Sequence, residues 1–213
     1  MTTLIGRGVR VEIGKTEGSP KVVTAVTQAK PGVGTSVAHG LAAKSVGYFK
    51  DVTGMVQLDG QAARLSAVAA DSLTLENINT TNFPAFTGGS FVPITAWSTL
   101  NRAASYSIGG GAADQLDDTV LFDDIKQLVN GLLASQTVTF NVKSETVNGE
   151  AAALIEDAAR NLAYLVFRVT LKDGSVRVFR GQPSLAGEDV QNGQIGTGSF
   201  TVTVKGFVNQ GAA

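Results

Sequence analysis

Alternation is the strongest constraint this chain carries. In "GVRVEIGK", Val9, Val11 and Ile13 fall on one face and Arg10 and Glu12 on the other. In "TVTFNVKS", Val138, Phe140 and Val142 alternate with Thr137, Thr139, Asn141 and Lys143. In "GSFTVTVKGF", Phe200, Val202 and Val204 alternate with Ser199, Thr201, Thr203 and Lys205. A period of two is the mark of a half-buried strand, because successive side chains point to opposite faces of a sheet. A hairpin is predicted in "LAYLVFRVTL-KDG-SVRVFRG", with Leu165, Phe167, Val169 and Leu171 aligned with Val176 and Val178 across the turn. Lys172-Asp173-Gly174 suits a short turn whose glycine takes the left-handed conformation. One segment departs from this period. In "NGEAAALIEDAARN", Ala151, Leu154, Ile155, Ala158 and Leu162 form a helical stripe, with Asn148 as N-cap and Asn161 as stop. The pattern predicts a mainly β fold, an antiparallel β-sandwich or barrel with one packed α-helix.

From Lys21 to about Pro93 the predicted strands are shorter: "KVVTAVTQ", "VGYFKDVT", "QAARLSAVA", "SLTLENI" and "SFVPI". Pro31-Gly32, Thr53-Gly54, Asp59-Gly60 and Gly88-Gly89 punctuate them with turn chemistry. "GGSFVPITAW", residues 88–97, lies where this short-strand region meets the longer elements. It reads either as a loop inside one domain or as a seam between two. "FDDIKQLVNGLLA" has helical spacing interrupted by Asn130-Gly131, so a short helix and a structured loop both stay open there.

Reactive chemistry is sparse. No cysteine is present, which excludes disulfides, thiol catalysis and Cys-ligated zinc. His39, the single histidine, precedes Gly40 and reads as a turn residue rather than a general base. No G-x-S-x-G elbow occurs, and "GGGAAD" lacks the lysine and hydroxyl of a phosphate loop. The strongest charge feature is "DQLDDTVLFDD", carrying Asp114, Asp117, Asp118, Asp123 and Asp124. Its spacing does not fit a calcium loop, no second motif supports a paired-carboxylate hydrolase, and a solvated acidic loop with a possible contact role is the simplest reading. Arg168, Arg177 and Arg180 read as surface or subunit-interface charges, and Phe167 as core. The expectation is a non-enzymatic chain with no cofactor and no metal.

Charged residues make up only 16 % of the chain, below the roughly 25 % of an average soluble domain. So weakly charged a surface is poorly defended against self-association, and an oligomer is expected. A net charge of −1 supplies no basic field for nucleic acid or an anionic membrane. "MTTLIGRGVRVEIG" lacks the apolar core of a signal peptide, and no stretch approaches 18 apolar residues. The expectation is a chain made and kept in the cytoplasm, or exported without a classical leader, with no membrane partner.

Together, "LFDDIKQLVNGLLASQTVTFNVKS", the helix "EAAALIEDAARN", the hairpin "VFRVTLKDGSVRVFRG" and the closing "GSFTVTVKGF" resemble phage tail tube proteins of the long non-contractile, siphophage type. Residues 35–89 are similar to a small β-barrel module of phage structural proteins, related to a half-domain of ubiquitin-activating enzymes. "AHGL", "VTGM", "LDGQAARLSAV", "SLTLENIN" and "FTGG" carry that likeness. The resemblance implies a tail-tube β domain formed by 1–20 and 94–213, with an inserted small β-barrel at 21–93. "TEGSPK" would then lead into the insert and "GGSFVPITAW" out of it, with the insert on the surface, since insertions succeed at exposed turns.

It further implies a virion structural protein, the major tail tube subunit, whose partner is itself in stacked homo-hexameric rings. The rings would enclose the tape-measure protein, meet tail terminator and tail-tip proteins, and conduct DNA at ejection as non-specific cargo. Assembly would take place in the host bacterial cytoplasm. The expected contact residues are Asp114, Asp117, Asp118, Asp123 and Asp124, meeting Arg102, Arg168, Arg177 and Arg180 of a neighbouring subunit. Lining the lumen and repelling DNA is the second possibility for the aspartates. The competing class is an extracellular carbohydrate- or surface-binding β-sandwich module.

Overall fold

A computed structural model describes residues 8–122, 124–143, 149–184 and 187–213. Its strands are, in order, β1 (Arg10–Glu17), β2 (Lys21–Val23), β3 (Ala25–Val26), β4 (Val33–Thr35), β5 (Val46–Thr53), β6 (Ala62–Ala69), β7 (Ser72–Leu75) and β8 (Gly88–Thr99). Then come β9 (Ala103–Gly110), β10 (Ala113–Asp117), β11 (Leu128–Leu133), β12 (Gln136–Lys143), helix α1 (Glu150–Arg160), β13 (Leu165–Thr170), β14 (Val176–Pro183), β15 (Gly187–Asp189), β16 (Thr197–Val204) and β17 (Asn209–Gly211). The expected mainly β fold is present. A large curled antiparallel sheet runs β3-β4-β7-β6-β5-β8-β1-β13-β14-β16-β12-β9, while β10 and β11 form a separate two-stranded sheet.

Alternation builds the first core directly. Val11, Ile13, Val138, Phe140, Phe200, Val202 and Val204 are all buried, as their period predicts. Phe140 lies 5.0 Å from Phe200 and 6.0 Å from Phe167, and Phe167 stacks on Phe179 at 5.2 Å between ring centroids. Ala151, Ile155 and Ala158 of α1 are buried, and the first two join this cluster. Glu150, in the helix's first turn, bonds to Lys15 of β1 and accepts from Ser98 Oγ of β8 at 3.2 Å. These contacts tie the helix start to the sheet. The helical stripe is narrower than its spacing predicts. Leu154 is half-buried, and Leu162 lies past the helix end at φ 52° and is exposed, because the helix stops at Arg160. Gly149 occupies the N-cap; the expected cap Asn148 lies outside the described residues.

The β13–β14 hairpin corrects the predicted face. Val178 pairs with Arg168 and Val176 with Thr170, while Phe179 pairs with Phe167. Directly paired residues in an antiparallel ladder point the same way, so Val176 and Val178 lie on the opposite face from Phe167 and Val169. They are buried nonetheless. With Val166 they pack against Val46, Tyr48, Ala62 and Val92, a cluster that joins the two halves of the sheet. The sheet is therefore covered on both faces here.

Glu12 also departs from expectation. It sits on the face alternate to Val11 and Ile13, yet is only 3 % exposed. Arg168 Nε donates to Glu12 Oε2 at 2.7 Å, and Arg10 Nη2 lies 2.9 Å from Glu12 Oε1. The Arg168 guanidinium stacks over Trp97 at 4.2 Å.

Residues 88–97 are not a loop. They belong to β8, a single 12-residue strand that pairs with β2 and β5 in its first half and β1 in its second. A third cluster, including Val23, Phe49, Met55, Leu58, Leu65, Leu73, Leu75 and Phe91, lies wholly within residues 23–91. The connection between β16 and β17 crosses to this region. Gln61 bonds both the carbonyl and the amide of Phe207 at 2.8 Å, and Lys205 Nζ meets Asp59 Oδ2 at 3.1 Å.

Candidate functional site

Gly110, the last residue of β9, and Gly111 after it, both at φ 79°, turn the chain out of the main sheet. A Cβ on Gly110 would stand 2.4 Å from the Ser135 carbonyl, so the turn requires glycine. What leaves the sheet is not the helix or loop considered for residues 122–134. It is a two-stranded ribbon, β10 against β11, with Leu116 opposite Val129 and Asp117 opposite Leu128. The helical spacing of "IKQLVNGLL" loses to strand pairing here, because Asn130 and Gly131 are weak helix formers and β10 supplies a partner ladder.

The ribbon exposes large apolar side chains on both faces and at its tip. Leu121 and Phe122 are almost wholly exposed, Ile125 and Leu132 are 75 % and 84 % exposed, and Leu116, Leu128, Val129 and Leu133 are each half exposed or more. An isolated two-stranded ribbon is marginal in water, and an exposed apolar surface of this kind marks an interaction site. Polar contacts hold its shape: Gln115 Nε2 donates to Asn130 Oδ1 at 2.6 Å, and Ala134 N to the Ala112 carbonyl at 2.8 Å.

The expected acidic residues sit on this ribbon. Asp114 and Asp117 belong to β10, Asp118 and Asp124 to the connection, all exposed; Asp123 lies outside the described residues. Asp117 accepts from the Thr119 hydroxyl at 2.5 Å and amide at 3.0 Å, and Lys126 Nζ stands 3.4 Å away. The Thr119 hydroxyl, then its amide, hold the Asp117 carboxyl below the usual carboxylate range. Among the described residues no group of three His, Asp or Glu side chains converges as a metal site.

The expected arginines lie elsewhere. Arg102 is exposed in the β8–β9 turn. Arg168 is committed to Glu12 and Trp97. Arg177 lies on β14, donating to the Val176 carbonyl at 3.3 Å. Arg180 is sandwiched between Tyr48 at 4.1 Å and Tyr164 at 4.7 Å. Within one chain the fold brings none of the four to the aspartates in an ion pair, among the described residues. Sequence reasoning missed the apolar tip, whose signal was the adjacency of Leu121 and Phe122 outside any alternating run.

His39 is buried, with Nε2 2.8 Å from the Ala69 carbonyl and Nδ1 accepting from Leu41 N at 2.9 Å. Both ring nitrogens are thus occupied by backbone, consistent with a turn residue.

Residues 53–212 match a protein-family model described as phage tail tube protein. No curated protein matches the chain.

Proposed function

The chain belongs to the phage tail tube protein family, and from that premise we propose that its copies close into hexameric rings that stack into a tube. It is a structural component of the virion tail and not an enzyme. In the proposed tube the lumen surrounds the tape-measure protein during assembly and conducts DNA at ejection, and tail terminator and tail-tip proteins meet the two ends.

The observation that carries this reading is the exposed apolar ribbon of β10 and β11. Fully burying a large aliphatic or aromatic side chain contributes about 1.5–3 kcal/mol, and this ribbon offers Leu121, Phe122, Ile125 and Leu132 together. A second copy is the occupant a self-assembling family member supplies. Strand β9, paired on its β12 side and ending the order of the main sheet, gives further support, since a closed ring satisfies open edges.

Within that assembly Asp114, Asp117, Asp118, Asp123 and Asp124 act as charged contacts. Arg102 and Arg177 are the favoured partners on a neighbouring subunit, and Arg168 and Arg180 can take part only with groups left over from their own stacking. We also read residues 21–93 as an inserted barrel held on the outside of the tube, with 1–20 and 94–213 as the tube domain. The separate core around Phe49 and Phe91 supports this division, although the family match begins inside the segment, at residue 53.

The test is Leu121→Ser together with Phe122→Ser, examined by negative-stain microscopy and by size-exclusion chromatography. Folded subunits that no longer form rings or tubes are expected. Tubes that form as readily as the parent's would overturn the reading.

A further inference from the structure

A cavity of about 330 Å³ opens between residues 57–61, the segment 77–83 that follows β7, and the crossing segment 207–210. That is within the roughly 300–1,000 Å³ of small-molecule sites. Six carboxamides line it: Gln57, Gln61, Asn77, Asn79, Asn209 and Gln210. Among the described residues no charged side chain does. Two phenyl rings, Phe83 and Phe207, and the aliphatic Leu58, Ile78 and Val208 complete the wall.

Some of these amides are engaged within the protein. Gln61 is fully occupied by Phe207 and the Ala62 carbonyl, Asn77 Nδ2 donates to the Gln210 carbonyl, and Asn79 Oδ1 accepts from Thr81. These hold the cavity's shape. The side chains of Gln57 and Gln210 are exposed and make no hydrogen bond among the described residues, and Asn79 keeps its NH₂ group for a ligand. Asn209 is only 7 % exposed, and its Nδ2 has no hydrogen-bond partner among the described residues. Each amide offers a donor and an acceptor together, matching a hydroxyl that also does both. With no charged side chain among the lining residues, the wall offers a phosphate, a carboxylate or an amine hydrogen bonds but no counter-charge, which favours an uncharged ligand. The phenyl rings supply an apolar face.

We infer that this cavity binds a neutral saccharide, its hydroxyls meeting the amides of Gln57, Asn79 and Gln210 and its C–H face resting on Phe83 or Phe207. An extended peptide is the poorer fit. It would need an open strand edge to pair with, whereas the 77–83 segment forms no strand, and β17 is paired with β14 on one side while Asn77, Arg64 and Glu76 bond to backbone groups of Gln210 and Ala212. The site is separate from the β10–β11 ribbon and does not depend on tube formation.

The full-length chain is titrated with glucose, N-acetylglucosamine, glucuronate and a neutral hexapeptide, followed by calorimetry and by the ring resonances of Phe83 and Phe207. Saturable binding of a neutral sugar that shifts those resonances is expected. Gln57→Ala with Gln210→Ala should raise its Kd about ten-fold while leaving the melting temperature and tube formation unchanged, since both side chains are exposed and unbonded. Three results would each overturn the inference: no neutral sugar binding, binding unchanged in the double variant, or binding by the peptide or glucuronate in preference to the neutral sugars.

Discussion

Arg64 and Glu76 grip the last strand between them. Their side chains are nearly buried and lie 3.0 Å apart, Nη1 to Oε2. Arg64 Nη1 donates to the Ala212 carbonyl at 2.6 Å, and Ala212 N donates to Glu76 Oε1 at 2.8 Å. Both backbone polar groups of one residue are thus read by an ion pair 136 or more positions away. Gly211 passes through the gap: a Cβ there would stand 2.6 Å from Arg64 Nη1 and 2.7 Å from Glu76 Oε2. The clamp fastens β17, and through it β14, onto the 21–93 segment.

Removing one partner of a buried pair leaves an uncompensated charge, so Glu76→Ala is expected to lower stability by about 3–5 kcal/mol. Urea unfolding of the two proteins measures it. A loss below about 1 kcal/mol, the range of exposed pairs, would show that water reaches Arg64.

Helix α1 is anchored by Ile155 more than by Leu154. Ile155→Ala is expected to cost about 2–5 kcal/mol and Leu154→Ala clearly less, because Leu154 keeps part of its surface in water. Equal losses in thermal or denaturant unfolding would mean that the helix is rotated about its axis from the arrangement described.

Tyr48 carries an alkaline limit. Its hydroxyl donates to Glu17 Oε1 at 2.9 Å, and burial first, then that bond and the carboxylate's charge, push the phenol from 10.0 up to about 12. A raised folded pKa gives stability that is complete below the unfolded value and lost as pH rises through the folded one. Stability should therefore hold up to about pH 10 and fall between about 10 and 12. Tyr48→Phe should lack this part of the fall; unfolding curves of the two proteins that decline in parallel over that range would refute the assignment.

Charge at the ribbon should matter to assembly and not to folding. Replacing Asp117, Asp118, Asp123 and Asp124 by asparagine is expected to leave the melting temperature within a few degrees, since those described are exposed, yet to weaken polymerisation. Individual exposed pairs contribute only about 0–1 kcal/mol, but repetition around a ring multiplies them. Wild-type assembly followed by light scattering should weaken with added salt. Indifference to both salt and substitution would remove the aspartates from the contact.

Much of the sheet was legible from the chain. The strands around Val138–Phe140, Phe200–Val204 and Leu165–Leu171 follow from alternation, and Gly174 adopts the expected positive φ of 82°. The ribbon was less legible, because a short apolar run supports a helix or a strand equally until a pairing partner is known. Its aspartates were visible as a group, but their arginine partners followed only from the assembly that the resemblance implies, and the fold commits Arg168 and Arg180 to aromatic rings.

By itself the sequence determined the period: which residues of a strand share a face, where turns need glycine, and that one segment is helical. These depend on neighbours a few positions apart, so local geometry suffices. What covers each face was decided only by the tertiary structure. Glu12 sits on a face that alternation alone would leave to solvent, and Val178 on the face opposite the one it was expected to share with Phe167. Glu12 is buried by Arg168, and Val178 by a cluster containing Tyr48 and Val92. Burial depends on which distant segment packs there, and no local period encodes that. The Arg64–Glu76 grip on Ala212 and the outward path of the β10–β11 ribbon arise in the same way, from long-range packing.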